Sequence, residues 1–271
     1  MKKFIKRIVS FLLSIAMLLS SATYVFAQEQ VYDGKKSNIH YEKGSIEALL
    51  DSTSSRSSFK ELIYTYDQNG ESYRVYDQVN SDLTYTHSSI FKIEKNQKET
   101  LVRREIVNVA NNMVTTTIIE NGKETTHVLD LNSSNKSEFA NAPTPMGTWD
   151  GWPVSNTFEH YGTFKYSYSI TGTTTAAVTV TINAIVKFAN INPYAKVAVT
   201  IISGIVNYIV KENVKRTYVI EDVSFRWTQI PNIPVQQRAV ERTIRKFHAD
   251  SNYATVIDSA TTTVYAKDYK D

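Results

Sequence analysis

The chain has 271 residues, 30 Lys and Arg against 27 Asp and Glu, and no cysteine. The missing thiol excludes a structural disulfide, a thiolate zinc site and a Cys nucleophile. The length allows one large or two small domains, each stabilised by an ordinary hydrophobic core.

Residues 1–27 read as a signal peptide. Lys2, Lys3, Lys6 and Arg7 precede the apolar run IVSFLLSIAMLLSSA, and Val25-Phe26-Ala27 precedes a polar QEQ, which places cleavage between Ala27 and Gln28. The apolar run is short for a stop-transfer span, which argues against an uncleaved anchor. With the four leader bases removed, 26 basic residues face 27 acidic ones, a formal charge of −1. Binding of nucleic acid through global basicity is thereby excluded. The leader's style points to a Gram-positive bacterium and a secreted protein.

Residues 28–58 are polar and end in DSTSSRSS, a composition that buries little surface and reads as a flexible N-terminal arm. Residues 59–131 carry a β pattern, with Asn69-Gly70 and Asn121-Gly122 as tight hairpin turns, and six antiparallel strands in a meander are expected. Tyr85 and His87 alternate there with Thr84, Thr86 and Ser88. Residues 132–148 are a linker in composition, with Pro143 and Pro145 holding extended backbone. Residues 149–271 then begin with Trp149-Asp150-Gly151-Trp152-Pro153. The two indoles read either as an exposed pair of interfacial anchors or as a turn packed back on a sheet.

The most distinctive stretch is 160–211, which contains no Asp or Glu; its formal charges are Lys165, Lys187, Lys196 and Lys211. Within it, residues 173–210 form two apolar runs that meet at Asn192-Pro193. Asn192 can cap and Pro193 can begin a helix, and Val197, Ile201, Ile205 and Tyr208 follow at helical spacing. The first run places Val178, Ile182, Ile185 and Ala189 inward as a helical partner, giving a hairpin of about 25 Å per arm. A β alternative exists, because Val178, Val180 and Ile182 alternate with Thr179, Thr181 and Asn183, as in the stem hairpins of pore-forming barrels. Each arm is at the short edge of what a bilayer requires. In a membrane, Lys187 and Lys196 would snorkel to headgroups, and Thr200 with Gly204 would allow close helix contact. An apolar pair of this kind is either the buried core of a soluble fold or an inserting element.

Strands flank the pair, and residues 236–249 place Val240, Ile244 and Phe247 at i, i+4 and i+7, the spacing of a short amphipathic helix. Its bases, Arg238, Arg242, Arg245 and Lys246, suit either a solvated helix face or an anionic partner. The five histidines are dispersed, and no nucleophile elbow, zinc motif or phosphate loop is present. No catalytic residue, metal ligand or cofactor site is assigned. A secreted hydrolase with carboxylates from distant strands stays open.

The expected fold class is α+β, an antiparallel β-rich body around a central hydrophobic helical hairpin, with a short amphipathic helix near the C-terminus. TWDGWP and the run GTTTAAVTVTINAIVKFANINPYAK resemble the large, secreted, non-lantibiotic bacteriocins of the geobacillin type from thermophilic bacilli. The resemblance implies antibacterial activity at the membrane or envelope of related Gram-positive cells. On that reading the inserting residues are Val178, Ile182, Ile185, Lys187, Pro193, Lys196, Ile201, Gly204 and Ile205, with Trp149 and Trp152 as interfacial anchors. The partner is the target membrane or envelope, with self-association there left open. The alternative is a secreted envelope-binding or inhibitor module without killing activity.

Overall fold

The computed structural model describes residues 34–51, 59–133, 152, 154–155, 157–188, 196–229 and 235–265. The leader with Ala27 and Gln28, most of the 132–148 linker, Trp149 and Pro193 lie outside the described residues. The fold belongs to the unit from Lys36 onward. It is α+β, built on two antiparallel sheets.

Seven strands form the first sheet in plain sequence order. They are β1 (Ser37–Lys43), β2 (Phe59–Gln68), β3 (Glu71–Asn80), β4 (Tyr85–Ile93), β5 (Glu99–Ala110), β6 (Met113–Glu120) and β7 (Lys123–Asp130). The expected six-stranded meander is β2 to β7. Both Asn-Gly pairs make the turns their chemistry suits: Asn69 and Gly70 have φ of 53° and 77°, and Asn121 and Gly122 have 52° and 74°.

One correction concerns residues 28–58. Their described part is not an arm: β1 adds a seventh strand, and α1 (Ile46–Leu50) packs Ile46, Leu49 and Leu50 into the core. Ser45 caps α1 by accepting from Ala48 N–H at 3.1 Å, and Lys60 Nζ donates to the Leu49 carbonyl at 2.8 Å at its other end. The Ser-rich composition of the segment masks three apolar residues at helical spacing.

The second sheet has the order β11-β10-β9-β8, again between chain neighbours. Its strands are β8 (Glu159–Ser169), β9 (Arg216–Thr228), β10 (Gln237–His248) and β11 (Val256–Tyr265). A second correction lies here, because β10 replaces the amphipathic helix expected at 236–249. The strand is paired on both sides, so its backbone is satisfied by two ladders, and this pairing overrides the helical spacing. As a strand it separates the three spaced residues: Val240 and Ile244 share one face, where Val154 and Phe158 help to bury Val240, and Phe247 turns to the other and is buried in the main core.

Between β8 and β9 in the chain come α2 (Thr175–Phe188) and α3 (Lys196–Glu212), which pack on one another. Every residue of α2 from Thr175 to Val186 is buried. It contacts β3, β4, β5 and β6 of the first sheet. Its threonines are accommodated by back-bonding: Thr179 Oγ1 donates to the Thr175 carbonyl at 2.7 Å, and Thr181 Oγ1 to that of Ala177 at 2.9 Å. By contrast α3 is two-sided. Ile202, Ile205, Val206 and Ile209 are buried, whereas Thr200, Gly204, Asn207 and Lys211 form an exposed stripe. Helix α3 contacts α1 and β11.

Candidate functional site

Burial should strip charge from the inner face of a sheet, yet the face that receives α2 carries charge in its middle. The pairing register creates one cross-strand row, Leu62–Asp77–Ser88–Glu105, over β2 to β5. Beside it runs Tyr64–Val75–Ile90–Arg103. Asp77, Ser88, Arg103 and Glu105 are at most 3 % exposed. Lys36, just before β1, joins them at 3 %.

This polar centre meets the N-terminus of α2, where helical N–H groups lack partners. Glu105 Oε2 accepts from the N–H groups of Thr173 at 2.8 Å and Thr174 at 3.1 Å, and its Oε1 accepts from Thr173 Oγ1 at 2.6 Å. The Tyr64 hydroxyl accepts from Thr175 N–H at 2.9 Å, and Asp77 Oδ2 from Ala176 N–H at 3.0 Å. Thr174 Oγ1 accepts from Ala177 N–H at 3.2 Å and lies 2.9 Å from Ser88 Oγ. On the other side, Lys36 Nζ donates to the Thr173 carbonyl at 2.5 Å and stands 4.5 Å from the centre of the Tyr66 ring. Arg103 Nη2 is 2.7 Å from Glu105 Oε1. Two carboxylates at a helix N-terminus also suit its dipole.

Burial sets the electrostatics. It pushes the Asp77 carboxyl up to about 7 against the donors Ser88 and Ala176, with Glu105 adding to the rise. Burial acts on Glu105 in the same direction, but Arg103 and the Thr173 and Thr174 donors outweigh it and hold that carboxyl below its ordinary value. Lys36 is brought down to about 8 by burial, opposed by Glu105 and Asp77. Lys215 also falls to about 8 through desolvation and the Arg103 charge, opposed by Glu105. The Tyr64 hydroxyl is raised by burial.

Glu105, Asp77, Tyr64, Ser88 and Lys36 each place a polar atom on residues 173–176 at the start of α2, and Arg103 pairs with Glu105, so the cluster holds the helix to the sheet. The five histidines fall on five different strands, and among the described residues no three His, Asp or Glu side chains are placed to hold a metal ion. A cleft of about 400 Å³ lies between β1 and α3, lined in part by Ile39, Tyr41, Asn207 and Lys211 and reaching Lys36 of the cluster.

Of the residues expected to insert, Val178, Ile182, Ile185, Ile201 and Ile205 are buried. Lys187 Nζ donates to the Asp82 carbonyl at 3.2 Å, which with Asn183 Nδ2 on the Leu83 carbonyl at 3.4 Å ties α2 to the β3–β4 turn. Gly204 is exposed, and a Cβ there would stand 2.8 Å from Asp258 Oδ2 of β11. Lys196 begins α3. Trp152 is 41 % exposed. Among the described residues no helix is long and apolar enough to cross a membrane.

Lys36, Asp77, Arg103 and Glu105 are not among the residues that sequence reasoning singles out. The signal for three of them is parity: Asp77 shares its strand face with Val75 and Val79, and Arg103 and Glu105 share theirs with Val107. A charge in phase with apolar neighbours marks a buried ion by its place in the alternation alone. No family model, characterised protein or solved structure matches the chain.

Proposed function

We propose that this chain is a secreted antibacterial protein acting on the membrane or envelope of related Gram-positive bacteria, with α2 and α3 as a helical hairpin stored inside a soluble β-rich body. The observation that carries the reading is how α2 is held. It is enclosed from Thr175 to Val186, yet its N-terminus is anchored by ionisable groups. Neutral caps would satisfy the same N–H groups without burying charge. As pH rises through about 7 the Asp77 carboxyl ionises in its buried site, which weakens the attachment of α2 and favours its release on contact with a target. The sequence resemblance to geobacillin-type bacteriocins points the same way.

The helices measure about 21 Å and 25 Å at 1.5 Å per residue, short of a bilayer core of about 30 Å. Insertion is therefore shallow, with the apolar faces seated below the headgroups and Lys187 reaching back to them.

A lock on α2 tests this. The chain has no cysteine, so Ser88→Cys/Thr174→Cys offers one disulfide between hydroxyl positions 2.9 Å apart. The oxidised variant is expected to keep its far-UV spectrum but neither kill related bacilli nor release dye from anionic vesicles, and reduction is expected to restore both. Undiminished killing by the oxidised form would sink the release of α2. It would favour the second reading, an envelope-binding module whose helices stay buried throughout, for which the pairing of every N–H group in the first turn of α2 speaks.

A further inference from the structure

The strand at Gln237–His248 changes what its basic residues do. Alternation divides them. Arg245 turns toward the face of Phe247 and pairs with Glu221 at 2.7 Å, and Arg238 lies on that face 4.1 Å from the centre of the Phe225 ring. Arg242 and Lys246 turn the other way.

The register extends the division across the sheet. Lys165, Ile220 and Lys246 form one row, and His160, Ser224 and Arg242 another. Arg226 lies opposite Val240, and Arg216 shares their parity. This face, turned away from the one that carries Val219, Phe247 and Ala260 into the core, holds five cations: Lys165, Arg216, Arg226, Arg242 and Lys246. Its single strand carboxylate is Asp222, already engaged by Thr163 Oγ1 at 2.7 Å and by Lys246 at 4.0 Å. The other four carboxylates of these strands, Glu159, Glu221, Glu241 and Asp258, have the opposite parity. A nearly neutral chain has thus sorted its charges by face.

We propose that the outer face of the four-stranded sheet docks on an anionic phospholipid bilayer, which deepens, and rests on, the reading of the chain as a membrane-acting protein. Lys165, Arg216 and Lys246 are exposed; Arg242 and Arg226 are partly buried, 4.1 Å and 5.9 Å from the centre of the Phe158 ring, and Arg226 Nε donates to the Ser155 carbonyl at 2.5 Å. Between and beside them the face offers hydroxyls, with Ser259, Thr261, Thr263 and Tyr265 all exposed along β11. The spread favours a plane over a thread. With strands about 4.8 Å apart, Lys165 and Lys246 are about 10 Å apart across the sheet, and the arginines lie further along it. A single polyanion strand is tracked by a positive groove, whereas charges spread in two dimensions match a layer of headgroups.

Co-sedimentation with vesicles tests the proposal, using phosphatidylglycerol mixed with phosphatidylcholine against phosphatidylcholine alone. The full chain is expected to bind the anionic vesicles only, and less as salt rises. Lys165→Gln/Arg226→Gln/Arg242→Gln/Lys246→Gln is expected to lower partitioning by on the order of several hundred-fold, since each base near an anionic surface is worth roughly a fivefold factor. Lys43→Gln/Lys95→Gln/Lys98→Gln/Lys123→Gln removes the same charge from the other sheet and is expected to bind as the wild type does. The exposed single variants Lys165→Gln and Lys246→Gln, each expected to lose about fivefold, keep the test decisive if the fourfold variant does not fold. Equal binding by the outer-face variants, or no preference for anionic vesicles, overturns the proposal. Retention by purified wall teichoic acid with none on vesicles overturns it too and makes the wall polymer the partner. The oxidised Ser88→Cys/Thr174→Cys protein separates the two readings: it is expected to bind anionic vesicles without leakage. If it binds and the unlocked chain also never causes leakage, docking stands and the release of α2 falls.

Discussion

Asp77→Asn isolates the charge of one anchor of α2. In the native chain burial pushes the Asp77 carboxyl up to about 7 from an ordinary value of 3.8. The native state therefore holds this proton more tightly than the unfolded chain does. Its contribution to stability is fully present below about 3.8 and is lost as pH rises through about 7. Between pH 5 and pH 7 the native carboxyl is protonated while the unfolded one is ionised. Each pH unit then costs the wild type about 1.4 kcal/mol, on the order of 3 kcal/mol over the interval. Asparagine keeps the shape, can accept from Ala176 N–H and can donate to Ser88 Oγ, and does not titrate. Urea unfolding at pH 5 and pH 8 reads the difference. The fall in stability from pH 5 to pH 8 is expected to be smaller in the variant by on the order of 3 kcal/mol. An identical fall in both proteins would refute the assignment of Asp77 as the titrating anchor.

Glu105→Gln has the opposite sign. The Glu105 carboxyl is held below its ordinary value of 4.5, so its stabilisation is present above that value and lost as pH falls through the lower native one. The variant leaves Arg103 buried beside a neutral amide and is expected to lose about 3–5 kcal/mol at neutral pH, measured by chemical denaturation; a loss under about 1 kcal/mol would remove Glu105 as a principal anchor. Gly172→Ala places a Cβ 2.5 Å from the Ala177 Cβ in the first turn of α2. It is expected to cost about 1–3 kcal/mol and lower the melting temperature, and an unchanged melting temperature would show that the junction gives way freely.

The legible parts of the fold are those in which local chemistry and tertiary context agree. Asn69-Gly70 and Asn121-Gly122 specify their turns with two residues each, and the alternation of Tyr85, His87 and their neighbours specifies a strand. Residues 237–248 mislead because Val240, Ile244 and Phe247 satisfy a helical period, and only the flanking strands β9 and β11 select the extended form. The first apolar run carries the reverse ambiguity. Val178, Val180 and Ile182 alternate as a strand would, but burial on every side requires a segment that satisfies its own backbone, and that is a helix. Of the candidate site, the apolar residues of α2 are visible in the sequence as a group, while their anchors are scattered among strand residues. Asp77 and Glu105 lie 99 and 68 residues from their partners Ala176 and Thr173, and no local pattern reports such a meeting.

Those separations also bear on how the chain folds. Every strand pair in either sheet joins neighbours along the chain, so each closes over a short loop or across the inserted helices. The docking of α2 instead waits on contacts 68, 99 and, through Lys36, 137 residues apart. Local pairing is fast and distant closure slow, so the sheet from β2 to β7 forms before α2 reaches it. Synthesis imposes the same order, because β7 ends at Asp130 and α2 begins at Thr175. The receptacle for α2 is therefore made before the helix that fills it.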